Sequence, residues 1–310
     1  MIKRLLSSIA CVLLSPLAIA TDISSARLLA SYWVDGSAGL DLSGLSFCAG
    51  KLLTVSDRAS KQIYAIQLMD GRAELVPYLK LSGLRVPKRS QAHSLWSFIP
   101  ELFRPARDLD FEGITCGENG IYLLSERYNR IAMVEGPGEA RWLENLWSPE
   151  VKARGYLQAP NVSSEGLVKA GDQFWLAIER EPRGLLRLSP GGDAQVFSLP
   201  PVGGLDFRGS PEDLTGLAYF DGALFTLEGN AHAVCRRTLP SLKAEWCLDY
   251  RALEKAPERM YEVALRGRGG GLAVNEQGIF VVFDNDNTAR AQYPGDRRAL
   301  LLHLAFPDSL

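Results

Sequence analysis

The chain has 310 residues and a near-balance of charge, 34 Lys and Arg against 36 Asp and Glu. That balance excludes a broad basic field for nucleic acid or anionic lipid, so nucleic acid is not an expected partner. With 29 Gly and 17 Pro and few long helical stretches, composition favours one β-rich domain over the two that length alone suggests.

The first element in chain order is a targeting segment. MIKRLLSSIACVLLSPLAIATD carries Lys3 and Arg4, then an apolar stretch, then Ala18-Ile19-Ala20, the small-residue spacing that signal peptidase accepts. Residues 1–20 therefore read as a cleavable signal peptide cut after Ala20, and the mature chain, 21–310, as a periplasmic or secreted single domain. The apolar run is shorter than the roughly 20 residues a membrane helix needs. No later stretch qualifies, so no transmembrane helix is expected in the mature chain.

Beyond it, one unit recurs five times: SGLSFCAGKLLTVSDR from Ser43, EGITCGENGIYLLSER from Glu112, EGLVKAGDQFWLAIER from Glu165, TGLAYFDGALFTLEGN from Thr215 and GGLAVNEQGIFVVFDN from Gly270. Each reads strand, turn, strand. The anchoring glycines, Gly44, Gly113, Gly166, Gly216 and Gly271, are 69, 53, 50 and 55 residues apart, room for four short strands each. Four-stranded units repeated radially predict an all-β propeller. The strand in SARLLASYWVDG joins the C-terminal strands to complete one blade, which predicts five blades, with six as the alternative if the long first interval hides another. That interval holds RVPKRSQAHSLWSFIPELFRPARDLD, whose apolar residues fall at helical spacing interrupted by Pro100, so it reads as a short helical flap after the first blade.

Residues just before each anchor, Ser43, Glu112, Glu165, Thr215 and Gly270, are expected to converge on the mouth of the central channel. The second strand of each copy returns to that face and ends at Asp57, Glu126, Glu179, Glu228 or Asp284. Seven carboxylates on one face need positive compensation. Arg58, Arg127 and Arg180 each follow a strand-ending acid and, by strand alternation, are expected to pair with the next blade. Glu112 and Glu165 lack such an arginine. As hard oxygen ligands outside the cytoplasm they suit Ca²⁺.

DLDFEGIT, SSEGLVKAGDQFWLAIEREPRGLLRL and EDLTGLAYFDGALFTLEGNAHAV resemble, in this order, the propellers of the SdiA-regulated family and its relatives in the esterase-like phytase family, over about Ser43 to Asp284. The resemblance implies an extracytoplasmic five-bladed propeller with a calcium site; its phytase-like branch implies hydrolysis of phosphate or other esters with calcium holding the substrate. Glu112 and Glu165 match the Glu-Gly motif, whereas Thr215 and Gly270 depart from it.

No G-x-S-x-G elbow occurs. GLSFC at Gly44 lacks the final glycine, and His93, His232 and His303 have no metal-pair spacing. What remains is metal-activated water attacking a small anionic ester, with Arg127, Arg180, Lys88 or Arg89 neutralising it. The competing reading is a non-catalytic propeller binding a small molecule, a glycan or another envelope protein through the same face; under either reading a monomer is expected. Cys235 and Cys247, on adjacent strands, are expected to form a disulfide; Cys48 and Cys116 are expected to be buried free thiols.

Overall fold

A computed structural model describes residues 21–85, 109–144, 147–158, 163–262 and 269–308. The expected signal peptide, and the flap with Lys88, Arg89 and His93, lie outside these residues. No helix among the described residues is long and apolar enough to cross a membrane.

Strands β1 (Asp22–Ser25) and β2 (Leu28–Asp35) open the chain. A first antiparallel group follows: β3 (Leu42–Cys48), β4 (Lys51–Ser56), β5 (Gln62–Met69) and β6 (Arg72–Lys80). The second is β7 (Phe111–Gly117), β8 (Gly120–Ser125), β9 (Arg130–Glu135) and β10 (Glu139–Trp142). The third is β11 (Ser164–Ala170), β12 (Gln173–Ile178), β13 (Gly184–Leu188) and β14 (Ala194–Ser198). The fourth is β15 (Gly216–Phe220), β16 (Ala223–Glu228), β17 (Ala233–Arg237) and β18 (Ala244–Asp249). In the last, β19 (Gly269–Asn275), β20 (Gly278–Phe283) and β21 (Leu300–Leu304) are completed by β2, antiparallel to β21. Strand β1 adds to the outside of the fourth group, parallel to β18.

The innermost strands β3, β7, β11, β15 and β19 touch in that order, and β19 returns to β3. This ring around a channel is a β-propeller. Its core is divided into seams, one between each neighbouring pair of groups. Leu53 and Val55 meet Ile114 and Leu123; Leu124 and Met133 meet Leu167 and Leu176; Val168 and Trp175 meet Leu217 and Leu224. Phe225 and Trp246 meet Val281 and Phe283, and Phe280 and Leu301 meet Leu45 and Leu52. Each strand buries one face against each neighbour, which is why β8, β12, β16 and β20 read as nearly continuous apolar runs.

The anchoring glycines are what let the ring close. A Cβ on Gly113 would lie 2.8 Å from Leu167 Cβ, one on Gly166 2.8 Å from Leu217 N, and one on Gly271 2.8 Å from the carbonyl carbon of Gly44. The inner strands pack there backbone on backbone, so any side chain would force them apart.

Two disulfides cross-link the structure. Cys235 and Cys247 face each other across β17 and β18, with Cα atoms 4.1 Å apart. Cys48 and Cys116 are also bonded, Cα to Cα 5.8 Å, which corrects the expectation of free thiols. Both lie toward the ends of inner strands in neighbouring groups, and the close approach imposed by the glycines brings them within bridging reach.

Candidate functional site

Chain alternation alone does not explain how Glu112 and Glu165 reach the channel. The inner ladders slip by one residue beside the anchoring glycine: between Ser43 and Leu45, Phe111 and Gly113, Ser164 and Leu167, and Gly269 and Gly271. These are β-bulges, which leave a residue unpaired and re-aim its side chain. Glu112 and Glu165 sit in the bulges and line the channel just above its waist. The waist is built by the residue after each glycine, Leu45, Ile114, Leu167, Leu217 and Leu272. Its free volume, about 10 Å³, is at the limit of what one water needs. Below it the channel reopens into a cavity of about 170 Å³ that holds Ser46. The apolar waist therefore stands between Ser46 and the acids.

Above the waist the carboxylates crowd. Oxygens of Asp57, Asp110 and Glu112 lie within 4.8 Å of one another. Asp57 Oδ1 is shut from solvent, accepts no hydrogen bond, and is 4.0 Å from Arg58 Nε. Burial, reinforced by Asp284, Asp41 and Asp110, pushes the Asp57 carboxyl up to about 8 against the pull of Arg58. Glu112 and Glu165 are half-buried and line the lumen. Burial raises Glu112 well above the ordinary range, helped by Glu126, Glu165, Asp110 and Asp284. Burial likewise raises Glu165, helped by Glu126 and Asp213 and opposed by Arg180. Desolvation is the leading cause throughout, and like charge is the next.

The strand-ending acids divide by role. Asp57 joins the cluster, and Glu126 borders it, accepting from Ser163 Oγ at 2.8 Å. Asp284 contributes charge to it and also accepts from the Asp286 N–H at 2.8 Å. Glu179 is buried and paired with Arg180. Glu228 is wholly buried, accepts from Thr226 Oγ1 and Arg237 Nη2 at 2.8 Å each, and pairs with Arg183. It is therefore a structural acid within the wall.

The expected arginine pattern also changes. Arg58 pairs with Asp41 of its own blade, though it also reaches Asp286 of the last group at 3.7 Å. Arg180 pairs with its chain neighbour, and the Arg127 guanidinium lies 5.9 Å from the adjacent Tyr128 ring centroid. The acids lie in turns at or just past the strand ends, where alternation no longer governs direction. Arg183, which pairs with Glu228, also links neighbouring blades in this region.

Three acids escaped the sequence reading: Asp41, Asp110 and Asp213, each three residues before an anchoring glycine in DLSG, DFEG and DLTG. All three are buried. Asp41 takes the Asn287 N–H at 2.7 Å, and Asp213 takes the Asn230 N–H on both oxygens, at 2.9 and 3.0 Å. The repeated Asp-x-x-Gly spacing is the signal that would have found them.

No family profile matches the chain, and no curated protein does. Its structural neighbours are β-propeller proteins. A glutaminyl cyclase from Myxococcus xanthus is similar with a TM-score of 0.55 at 13% identity, over 93% of this chain and 100% of that one. An aldose sugar dehydrogenase from Streptomyces coelicolor, in its PQQ-bound form, has a TM-score of 0.48 at 13% identity, over 90% and 98% of the two chains. At such identity the likeness to the cyclase is one of fold alone.

Proposed function

We propose that the top face is a calcium site used to engage a small anionic ester, in a protein that works outside the cytoplasm. The observation that carries this reading is the group Asp57, Asp110 and Glu112, three carboxylates within 4.8 Å, one of them with an oxygen that has neither solvent nor donor. A cation supplies the missing partner, and an all-oxygen donor set without His or Cys fits Ca²⁺. Glu165 faces the same lumen and adds a fourth carboxylate. When bound, the ion would polarise an ester or phosphoryl oxygen and offset its charge. The chain's own groups would do the rest: Arg180 tempers the negative field at Glu165, Ser163 holds Glu126, and the leucine waist keeps water from entering from below. The resemblance to the SdiA-regulated and esterase-like phytase families supports a phosphoester or related substrate. Two disulfides suit an oxidising compartment, in keeping with cleavage after Ala20.

A second reading, a propeller that binds its ligand without turning it over, is favoured by the position of Ser46 across the waist from the acids. Calorimetric titration of chelator-treated protein separates the possibilities. The parent should bind Ca²⁺ with a dissociation constant of about 10⁻⁴ to 10⁻³ M, and Asp110→Asn and the Glu112→Gln, Glu165→Gln double variant should lose the heat. Hydrolysis of p-nitrophenyl phosphate, p-nitrophenyl acetate or phytate only with calcium present would establish the enzyme. Calcium binding without turnover would leave the binding reading, and absence of calcium heat in the parent would remove the metal from both.

A further inference from the structure

We propose that the cleft between the second and third blades, on the face opposite the acids, binds a zwitterionic small molecule with an apolar side chain, of the free amino acid or short peptide class. The cleft has a volume of about 480 Å³ and opens among the turns β7–β8, β11–β12 and β13–β14. That is the size of an ordinary small-ligand site. It shares no residue with the calcium cluster.

Its wall is apolar. Tyr122 and Phe174 meet edge to face, with centroids 4.8 Å apart, and Met133 packs beside them. Two cations flank the wall. The Lys169 ammonium sits 6.0 Å from the Phe174 centroid and donates to the Gly171 carbonyl. Its stem lies so close over Gly117 that a Cβ there would come 2.7 Å from Lys169 Cδ. Gly117 thus makes room for this lysine at the seam. Arg141 comes from the second blade, and one nitrogen is held by Glu135 at 3.1 Å. The other guanidinium donors remain for a carboxylate.

Two acids also line the cleft, Glu144 beyond β10 and Asp172 in the β11–β12 turn. Both are exposed, and neither takes part in an ion pair among the described residues. The cleft therefore offers two positive and two negative groups around an apolar wall. A simple anion would leave the acids unanswered, and a simple cation would leave Lys169 and Arg141 so. A ligand carrying one carboxylate, one ammonium and one apolar group satisfies all three features.

Three probes of matched apolar shape test this, each titrated in chelator so that the top face plays no part: L-phenylalanine, 3-phenylpropionate, which lacks the ammonium, and phenethylamine, which lacks the carboxylate. Phenylalanine should bind about tenfold more tightly than either analogue, as expected for loss of one charge-assisted contact. Lys169→Met keeps the packed stem and should weaken phenylalanine and 3-phenylpropionate while leaving phenethylamine unchanged. Asp172→Asn, at an exposed turn, should weaken phenylalanine and phenethylamine while leaving 3-phenylpropionate unchanged. Equal affinity for the three probes, or no saturable binding of phenylalanine up to about 10 mM, overturns the proposal, whatever the outcome of the calcium experiment.

Discussion

Asp213 shows how a single carboxyl can tie stability to pH. It is buried, and desolvation raises it to about 7; the Asn230 N–H and Arg183 oppose the rise, and Glu228 adds to it. In the unfolded chain the same carboxyl titrates near 4. Below that pH both states hold the proton, and the group costs nothing. Between about 4 and 7 only the folded state keeps it, so stability falls as pH rises. Asp57, raised to about 8, has the same sign. In chelator the melting temperature should decline from pH 5 to pH 8, and Asp213→Asn should flatten the slope, as followed by circular dichroism. A melting temperature that climbs over that range in chelator would contradict the assignment. Asp213 and Asp110 were open to a sequence reader. Residues one and three before a glycine share a face on a regular strand, so Asp110 belonged with Glu112 from the outset. What hid the relation is the bulge at Glu112, between Phe111 and Gly113, which a repeat of identical spacing does not announce.

At the scale of the strand, the bulge and its glycine act together. The hairpins were legible because each copy carries its own turn residues and apolar alternation. The ring of glycines was visible as a pattern, but its cause, backbone packing between blades separated by 50 or more residues, is a tertiary fact. The same holds for Cys48 and Cys116, 68 residues apart, whose bridge depends on that packing. Closing a loop of that length contributes about 4 kcal/mol in the chain-entropy account, against about 3 for Cys235 and Cys247. The packing argument makes a contrast between glycines. On Gly166 a methyl would meet Leu217 N at 2.8 Å and the Gly216 carbonyl carbon at 2.9 Å, both backbone; on Gly191 it would meet nothing within 4 Å. Gly166→Ala should cost about 3 kcal/mol or more, and Gly191→Ala no more than about 0.5, measured as shifts in urea midpoint. Equal costs would mean that the strands can part without penalty.

Across the whole molecule, the question is what holds a ring whose two ends meet by non-covalent contact. Strand β1 is an addition: four residues paired to the outside of an already complete group. Strand β2 is structural closure. It pairs with β21 through Leu28, Ala30, Ser31, Tyr32 and Trp33, and meets β6 at Val34 and Asp35, so it spans the junction of the first and last groups. Val34 is fully buried, Trp33 packs edge-on against Tyr261 at 5.4 Å with Arg290 4.1 Å from its ring centroid, and Asp35 receives Arg298 at 2.6 Å. At roughly 1 kcal/mol per net hydrogen bond and 1.5 to 3 kcal/mol per buried large apolar side chain, these contacts together approach the 5 to 15 kcal/mol by which a domain is stable at all. A chain lacking Asp22–Ser25 should therefore unfold in urea as one transition at a slightly lower midpoint. A chain lacking everything through Asp35 should lose cooperativity, because β21 becomes an open edge and the last seam is uncovered along Leu300, Leu301 and Leu302. If the longer truncation instead keeps a single transition with an unchanged slope, the ring is held by its seams alone, and β2 is as dispensable as β1.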